Sequence, residues 1–245
     1  AISDPLNEAV TKIGLLNTFN WILQQHRISW EQIWARSNIE VEMNGTDNDQ
    51  LILRLHIFHI HQTVSRNSIG LDMGVPSRGW HGEAYRGHIF WDELYIFPYL
   101  NLHQPQLARS LLMYRYRRLP RAHRAARNKG FRGAMFPWQS GSNGREESQV
   151  LHLNPKSGRW VPDNTHLQRH INVAIPYNVW RYYQITEDKD FLTSYGAEII
   201  FGTALFWSSI ATFNPKRDRY EIQGVMGPDE YHTQYPDSEA PGLNN

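Results

Sequence analysis

Segments with helical spacing of apolar residues follow one another along most of this chain, separated by polar, glycine-rich loops. That pattern leaves few ways to bury the apolar faces other than packing helix on helix. The first segment has clear punctuation, with Asp4 as N-cap, Pro5 at the first helical position, and Leu6, Val10, Ile13 and Leu16 following at helical spacing. Ser29-Trp30-Glu31-Gln32 resembles a capping box and predicts a second, short helix. In QLILRLHIFHIHQTV, residues 50–64, the alternation of Leu53, Leu55 and Ile57 suits a strand, but the length and the absence of turn residues predict a buried helix. Helices are also expected over Trp91 to Leu102 and Pro105 to Leu119, with Pro120 ending the latter and a short basic helix running from Arg121 to Gly130. Loops are expected over 131–162. Asp163 is placed to cap a long helix through Thr186, and Asp190 another through Phe213. Only YEIQGVM, residues 220–226, has a strand pattern, and no repeat at a fixed period is evident. The expected class is all-α, with antiparallel helix pairs packed side by side.

Composition narrows the chemistry. A chain of 245 residues can form one large domain or two small ones. Lys plus Arg (25) and Asp plus Glu (24) nearly cancel, so a net charge of +1 gives no global attraction to nucleic acid or an anionic membrane. The absence of cysteine excludes disulfides, a thiol nucleophile and thiolate zinc sites. Catalysis would then fall to carboxylates, His, Tyr, Ser or Lys. Aromatic residues make up 13% of a chain whose mean hydropathy is −0.58, with nine Trp. Many rings therefore sit among polar side chains, as a sugar site requires: a pyranose offers a C–H face for stacking and hydroxyls for paired hydrogen bonds. No stretch approaches the ~18 apolar residues of a membrane span, and AISDPLNEAV does not have the pattern of a signal peptide. Compartment and assembly state stay open.

Three loops carry concentrated polar and aromatic chemistry. VPSRGWHGEAYRGHIFWDE, residues 75–93, sets Arg78, Trp80, His81, Glu83, Tyr85, Arg86, His88, Trp91, Asp92 and Glu93 among three glycines. Trp91-Asp92 at a helix start offers a stacking face beside a two-oxygen acceptor. GAMFPWQSGSNGREE, residues 133–147, repeats the style with Trp138 and Gln139, together with Ser140, Asn143, Arg145, Glu146 and Glu147. The third is GPDEYH, residues 227–232. There Glu230, between Asp229 and two aromatic side chains, has the neighbours that raise a carboxyl pKa and suit a general acid, while Asp229 is placed to shape the turn. Together the loops are expected to form one concave site at the end of a helical array. Other patterns carry less. His166 and His170 in HLQRH lack the Glu of a zincin helix, and the basic run at 114–132 is expected to be a solvated helix face. There is no Walker loop, GxGxxG or GxSxG.

GPDEYH after a short strand, with YRGHIFWDE and GAMFPWQSG upstream in that order, resembles glycoside hydrolase family 65, which includes maltose, kojibiose and trehalose phosphorylases and related α-glucoside hydrolases. The resemblance implies an (α/α)6 barrel catalytic domain, inversion at the anomeric carbon, no metal or other cofactor, and a small α-glucoside as substrate. It implies Glu230 as general acid and Trp91 and Asp92 as part of the pocket for the non-reducing glucose. Tyr85, Arg86, Trp138 and Gln139 are the further candidates for binding substrate. The segment PDNTHLQRH departs from an Asn-Glu-Trp-Glu-like stretch of the family's phosphorylases. Together with WQSGSNGREE and the YPDSEAPGLNN extension, it is closer to the kojibiose hydrolase branch. Hydrolysis is therefore the expected reaction, with phosphorolysis to β-glucose 1-phosphate as the alternative and a non-catalytic sugar-binding module as a third reading. An inverting hydrolase also needs a base ~6.5–9.5 Å from the acid. The resemblance puts that base, like the phosphate loop of the phosphorylases, further along than GPDEYH. About seven or eight helices are legible against the twelve of an (α/α)6 toroid. The chain is therefore expected to be a single partial catalytic domain over residues 1–245, lacking the family's N-terminal β-sandwich and last barrel helices.

Overall fold

The structure, a computed structural model, describes residues 4–41, 47–79 and 84–228. It is about 59% helical, and the chain divides into two compact units, Ala1–Phe58 and His59–Asn245.

In the first unit, α1 (Pro5–Gly14) starts as its sequence predicts, Asp4 Oδ1 accepting from the Asn7 N–H at 3.1 Å. Helix α2 runs unbroken over Phe19–Ser37. The expected start at Ser29 is not used, because its hydroxyl donates to the Gln25 carbonyl one turn back at 2.9 Å and is absorbed within the helix. Helix α3, Asp47–Thr63, confirms the helical reading of the alternating segment and continues into the second unit. Gln50 on α3 holds the strand-like exit of α2, donating to the Ile39 carbonyl and accepting from the Val41 N–H. The Phe58 ring packs 4.9 Å from that of Trp30.

In the second unit, α4 (Glu93–His103), α5 (Pro105–Asn128), α6 (Ile171–Thr186) and α8 (Ala197–Ile210) pack on one another. Phe97, Leu100, Leu107, Leu111, Ile171, Ile175 and Val179 form the core between them, all at most 2% exposed. A single residue, Gln104, separates α4 from α5. Helix α5 does not stop at Pro120. The proline forfeits one backbone bond at about 3 kcal/mol, but Leu119, Ala122 and Ala126 continue the buried face of Leu111 and Arg115, so the two expected helices are one. Nor is its basic run wholly a solvated face. Arg115 is buried against Glu93 at 2.9 Å, and Arg118 against Asp72 at 2.7 Å.

Helix α6 starts later than expected, since Asp163 accepts from Thr165 N and the chain first makes a 3-10 turn, Thr165–Leu167. Asp188, not Asp190, caps the short α7 (Lys189–Phe191), and a π turn over Leu192–Gly196 leads into α8. Arg109 ties this corner to α5 through both Asp188 (3.1 Å) and Asp190 (3.0 Å). Two antiparallel hairpins correct the single expected strand: β1 (Leu151–Asn154) with β2 (Arg159–Pro162), and β3 (Ala211–Asn214) with β4 (Arg219–Ile222). No helix among the described residues is long and apolar enough to cross a membrane.

Candidate functional site

The N-terminal ends of α4 and α6 converge, and the loops that feed them bring the aromatic residues together. Before α4, Tyr85 (φ 63°), Arg86 (φ 53°) and Gly87 (φ 70°) form three consecutive left-handed residues. That conformation costs a non-glycine residue ~1–2 kcal/mol, and here it turns the chain sharply into Ile89. The Ile89 N–H then donates to the Ser140 carbonyl at 2.9 Å, and the Ser140 N–H to the Ile89 carbonyl at 3.0 Å. This pair of backbone bonds clamps loop 84–92 against loop 133–147.

The second loop is fixed from within. One carboxylate, Glu146, accepts from the N–H groups of Trp138 (2.8 Å), Gln139 (3.1 Å) and Ser148 (3.2 Å) and from the Ser148 hydroxyl (2.8 Å). The Tyr114 hydroxyl donates to the Gly141 carbonyl at 2.6 Å. Arg145 pairs with Glu147 at 2.7 Å, and Asn143 accepts from the Arg145 N–H. Most polar residues of this loop are thus used to hold its shape, and Trp138 and Gln139 are themselves buried, each 7% exposed.

The Trp91 and Trp138 ring centroids lie 5.9 Å apart, and the His170 ring lies 4.8 Å from the first and 4.7 Å from the second. Phe90 meets Trp138 edge-on at 5.6 Å, and Tyr85 meets Phe90 at 4.9 Å. Gln139 reaches His88, its Nε2 donating to Nδ1 at 2.6 Å. Asp92 stands at the N-cap position of α4 without making a capping bond. It is half-buried, and burial raises its pKa above the ordinary carboxylate value. Beside it, Glu93 is fully buried, its Oε2 accepting two bonds from Arg115, which also donates to the Phe90 carbonyl at 3.0 Å. Burial raises the Glu93 pKa while Arg115 opposes the rise. The pair anchors the helix start from which Trp91 and Asp92 project.

His170 has the most perturbed histidine environment. Burial lowers its pKa to about 4, opposed only in part by the nearby Met226 backbone, and both ring nitrogens are buried without a hydrogen-bond partner among the described residues. The ring is neutral at pH 7. Met226 itself is buried and donates its N–H to the Leu167 carbonyl at 3.0 Å, holding the segment after β4 beside this cluster.

Of the residues expected from sequence, Trp91 and Trp138 meet directly, Asp92 is next to them, and Gln139 adjoins through its backbone and His88. Tyr85 is half exposed and joins only through Phe90. Arg86 makes no direct contact with the cluster; its charge is felt by Glu147. Glu230 and Asp229, like Trp80, His81 and Glu83, lie outside the described residues. His170 is not legible as a binding residue in HLQRH itself, which raises only the question of a metal. Its legible signal is its position immediately before the apolar run of α6, matching that of Trp91-Asp92 before α4.

Residues 54–242 match the glycosyl hydrolase family 65 central catalytic domain. The chain belongs to glycosyl hydrolase family 65. Among its relatives in this family, an uncharacterised glycosyl hydrolase of Mycobacterium tuberculosis is 48% identical over 233 residues, 95% of this chain and 17% of the relative. Trehalose 6-phosphate phosphorylase of Lactococcus lactis is 47% identical over 212 residues, 86% of this chain and 27% of that enzyme. A solved structure from the human microbiome, provisionally described as a kojibiose phosphorylase, superposes with a TM-score of 0.74 at 25% identity, covering 94% of this chain and 32% of the other. The fold is accordingly all-α and part of the (α/α)6 barrel of family 65 catalytic domains. The chain spans no more than about a third of these relatives.

Proposed function

We propose that this chain belongs to an enzyme that cleaves an α-glucosidic bond with inversion, and that it supplies the pocket for the non-reducing glucose and the general acid. The observation that carries this reading is the cluster of Trp91, Trp138 and His170 beside Asp92. Apolar ring faces stand there next to a carboxylate that accepts no hydrogen bond from another described residue. Rings of this kind stack on the C–H face of a pyranose, and a free carboxylate takes two of its hydroxyls. Trp138 and Gln139 complete the wall, with Tyr85 and Arg86 further out. Glu230 is the acid in this reading. Its support is the anchoring of Met226, four residues earlier, against Leu167 beside the cluster; four residues reach at most ~14 Å. Residues 1–245 are read as one part of a single catalytic domain.

Two nucleophiles complete the reaction in different ways. Water is supported by the PDNTHLQRH segment at the start of α6, which departs from the stretch typical of the family's phosphorylases. Phosphate is supported by the 47% identity with a relative named as a phosphorylase. Products formed by the intact protein from a panel of α-linked glucose disaccharides, with and without phosphate, separate the two. Free glucose without phosphate supports hydrolysis, and β-glucose 1-phosphate formed only with phosphate supports phosphorolysis. In either case Glu230→Gln is expected to lower kcat by about 10²–10⁴-fold with little change in KM. A variant with unaltered kcat on the preferred disaccharide would remove Glu230 from the mechanism and favour a binding module.

A further inference from the structure

A second concave site lies on the other side of loop 133–147. The C-terminal half of α5, residues 135–137, 144–146 and 148–150, and the turn before α6 line a cavity of about 790 Å³. That is the size of a small-molecule pocket. Neither Trp138 nor His170 lines it; their chain neighbours Pro137 and Arg169 do. His166 also faces this cavity, so the two histidines of HLQRH serve different places.

The lining is strongly one-signed in a chain whose total charge is nearly balanced. Five cationic residues, Arg121, Arg124, Lys129, Arg145 and Arg169, face it against the single carboxylate of Glu146. That carboxylate is committed to three backbone N–H groups and a hydroxyl. Arg145 is neutralised by Glu147. Arg121, Arg124 and Lys129 are exposed at the mouth, and no ion pair engages them among the described residues.

Arg169 decides the matter. It is only 8% exposed, yet its guanidinium has no hydrogen-bond acceptor among the described residues, and Glu146 acts on it only through charge. Burial of most of the side chain pulls its pKa down through desolvation, while its nitrogens keep contact with solvent in the cavity. The other deeply buried arginines described in this unit each pair with a carboxylate, Arg115 with Glu93 and Arg118 with Asp72, although Arg118 Nε has no partner of its own. A planar fork of donors left open at the base of a basic cavity matches the oxygens of a phosphoryl group, which it can engage in pairs. Part of the remaining wall, Phe136, Pro137 and Val150, is apolar and suits the carbon skeleton of an organic phosphate, beside the polar Asn128, Ser148 and Gln149.

We propose that this cavity binds the phosphoryl group of a small phosphorylated ligand, with Arg169 at its base and Arg121 and Arg124 at its mouth. The shared chemistry has two sources, a sugar phosphate ester and inorganic phosphate, and the apolar wall favours the ester. The test is titration calorimetry of the intact protein with glucose 6-phosphate, inorganic phosphate and glucose, comparing wild type, Arg169→Gln and the double variant Arg121→Gln/Arg124→Gln. Arg169→Gln is expected to weaken glucose 6-phosphate binding at least tenfold, and the double variant several-fold with a reduced salt dependence, while glucose binding is unchanged in both. Wild-type affinity for the ester well above that for inorganic phosphate identifies a sugar phosphate, and equal affinities identify free phosphate. The proposal is overturned if neither variant changes the affinity for either anion. Should Arg169→Gln fail to fold, the exposed double variant carries the test alone. Binding is read directly, so the outcome is independent of whether the protein cleaves α-glucosides.

Discussion

His170 is held neutral between two tryptophan rings, and that has a consequence for stability. Its pKa falls from 6.5 to about 4 on burial, so between those values the unfolded chain binds a proton that the folded chain refuses. Stability therefore rises with pH across this window and is lost as pH falls from about 6.5 towards 4. Partial solvent contact screens the effect to about 1–2 kcal/mol. His170→Phe, which keeps a ring against Trp91 and Trp138, is expected to lose that much less stability than wild type between pH 7 and pH 4.5 in urea titrations; equal losses would refute the assignment. The partners of this histidine also show where sequence reasoning reaches and where it ends. Trp91 and Trp138 were legible because each stands in a loop dense with unlike polar groups. His170 was not, because its environment comes from two other segments and nothing next to it in the chain records them.

The two hairpins show the same limit for elements. LHLNPKSGRWVP and ATFNPKRDRYEI share Asn-Pro-Lys, then Arg and an aromatic residue, sixty positions apart, a likeness that a search for a sustained period passes over. In both, the Asn side chain accepts from the Lys N–H at 3.0 Å and the register pairs Asn with Arg, Asn154 with Arg159 and Asn214 with Arg219. The fifth position of each turn is left-handed, Gly158 at φ 65° in the first and Asp218 at φ 49° in the second. Glycine adopts that conformation freely, whereas Asp pays for its Cβ. Asp218→Gly is expected to raise stability by about 0.5 kcal/mol, the gain being limited by the greater freedom of glycine in the unfolded chain. Gly158→Ala is expected to lower stability by about 1 kcal/mol. Urea midpoints measured on both variants check the pair, and a fall for Asp218→Gly would mean its side chain repays the strain. Caps were legible where a side chain bonds the next turn, as at Asp4. They misled where tertiary packing overrode the local signal: Pro120 lies within α5 because Leu119, Ala122 and Ala126 stay buried across it, and Ser29 is absorbed by the helix it was expected to open.

Convergence of distant segments is what turns these elements into a site, and Asn172 is the residue through which most of it passes. Fully buried near the start of α6, it accepts from the Phe136 N–H at 2.6 Å and donates Nδ2 to the carbonyls of Phe136 (3.2 Å) and Arg169 (3.1 Å), while its own carbonyl accepts from Trp207 Nε1 at 3.1 Å. One amide thus joins loop 133–147 to α6, and α8 closes on the same residue. Both sites depend on that junction, since Phe136 and Arg169 line the basic cavity while Trp138, two residues on from Phe136, and His170, next to Arg169, belong to the ring cluster. Asn172→Ala leaves the Phe136 N–H and carbonyl buried without partners, at about 2–4 kcal/mol, equivalent to a fall of about 5–10 °C in Tm for a chain of this size. Because the loop is also clamped at Ile89 and Ser140, it is expected to loosen at its Phe136 end rather than unfold. Binding of glucose and of glucose 6-phosphate should therefore both weaken in a variant that remains folded at 20 °C. Calorimetry on Asn172→Ala decides the point. A loss of Tm with both affinities intact would show that Asn172 stabilises the helices without positioning either site, and loss of one affinity alone would show that the two sites are held independently.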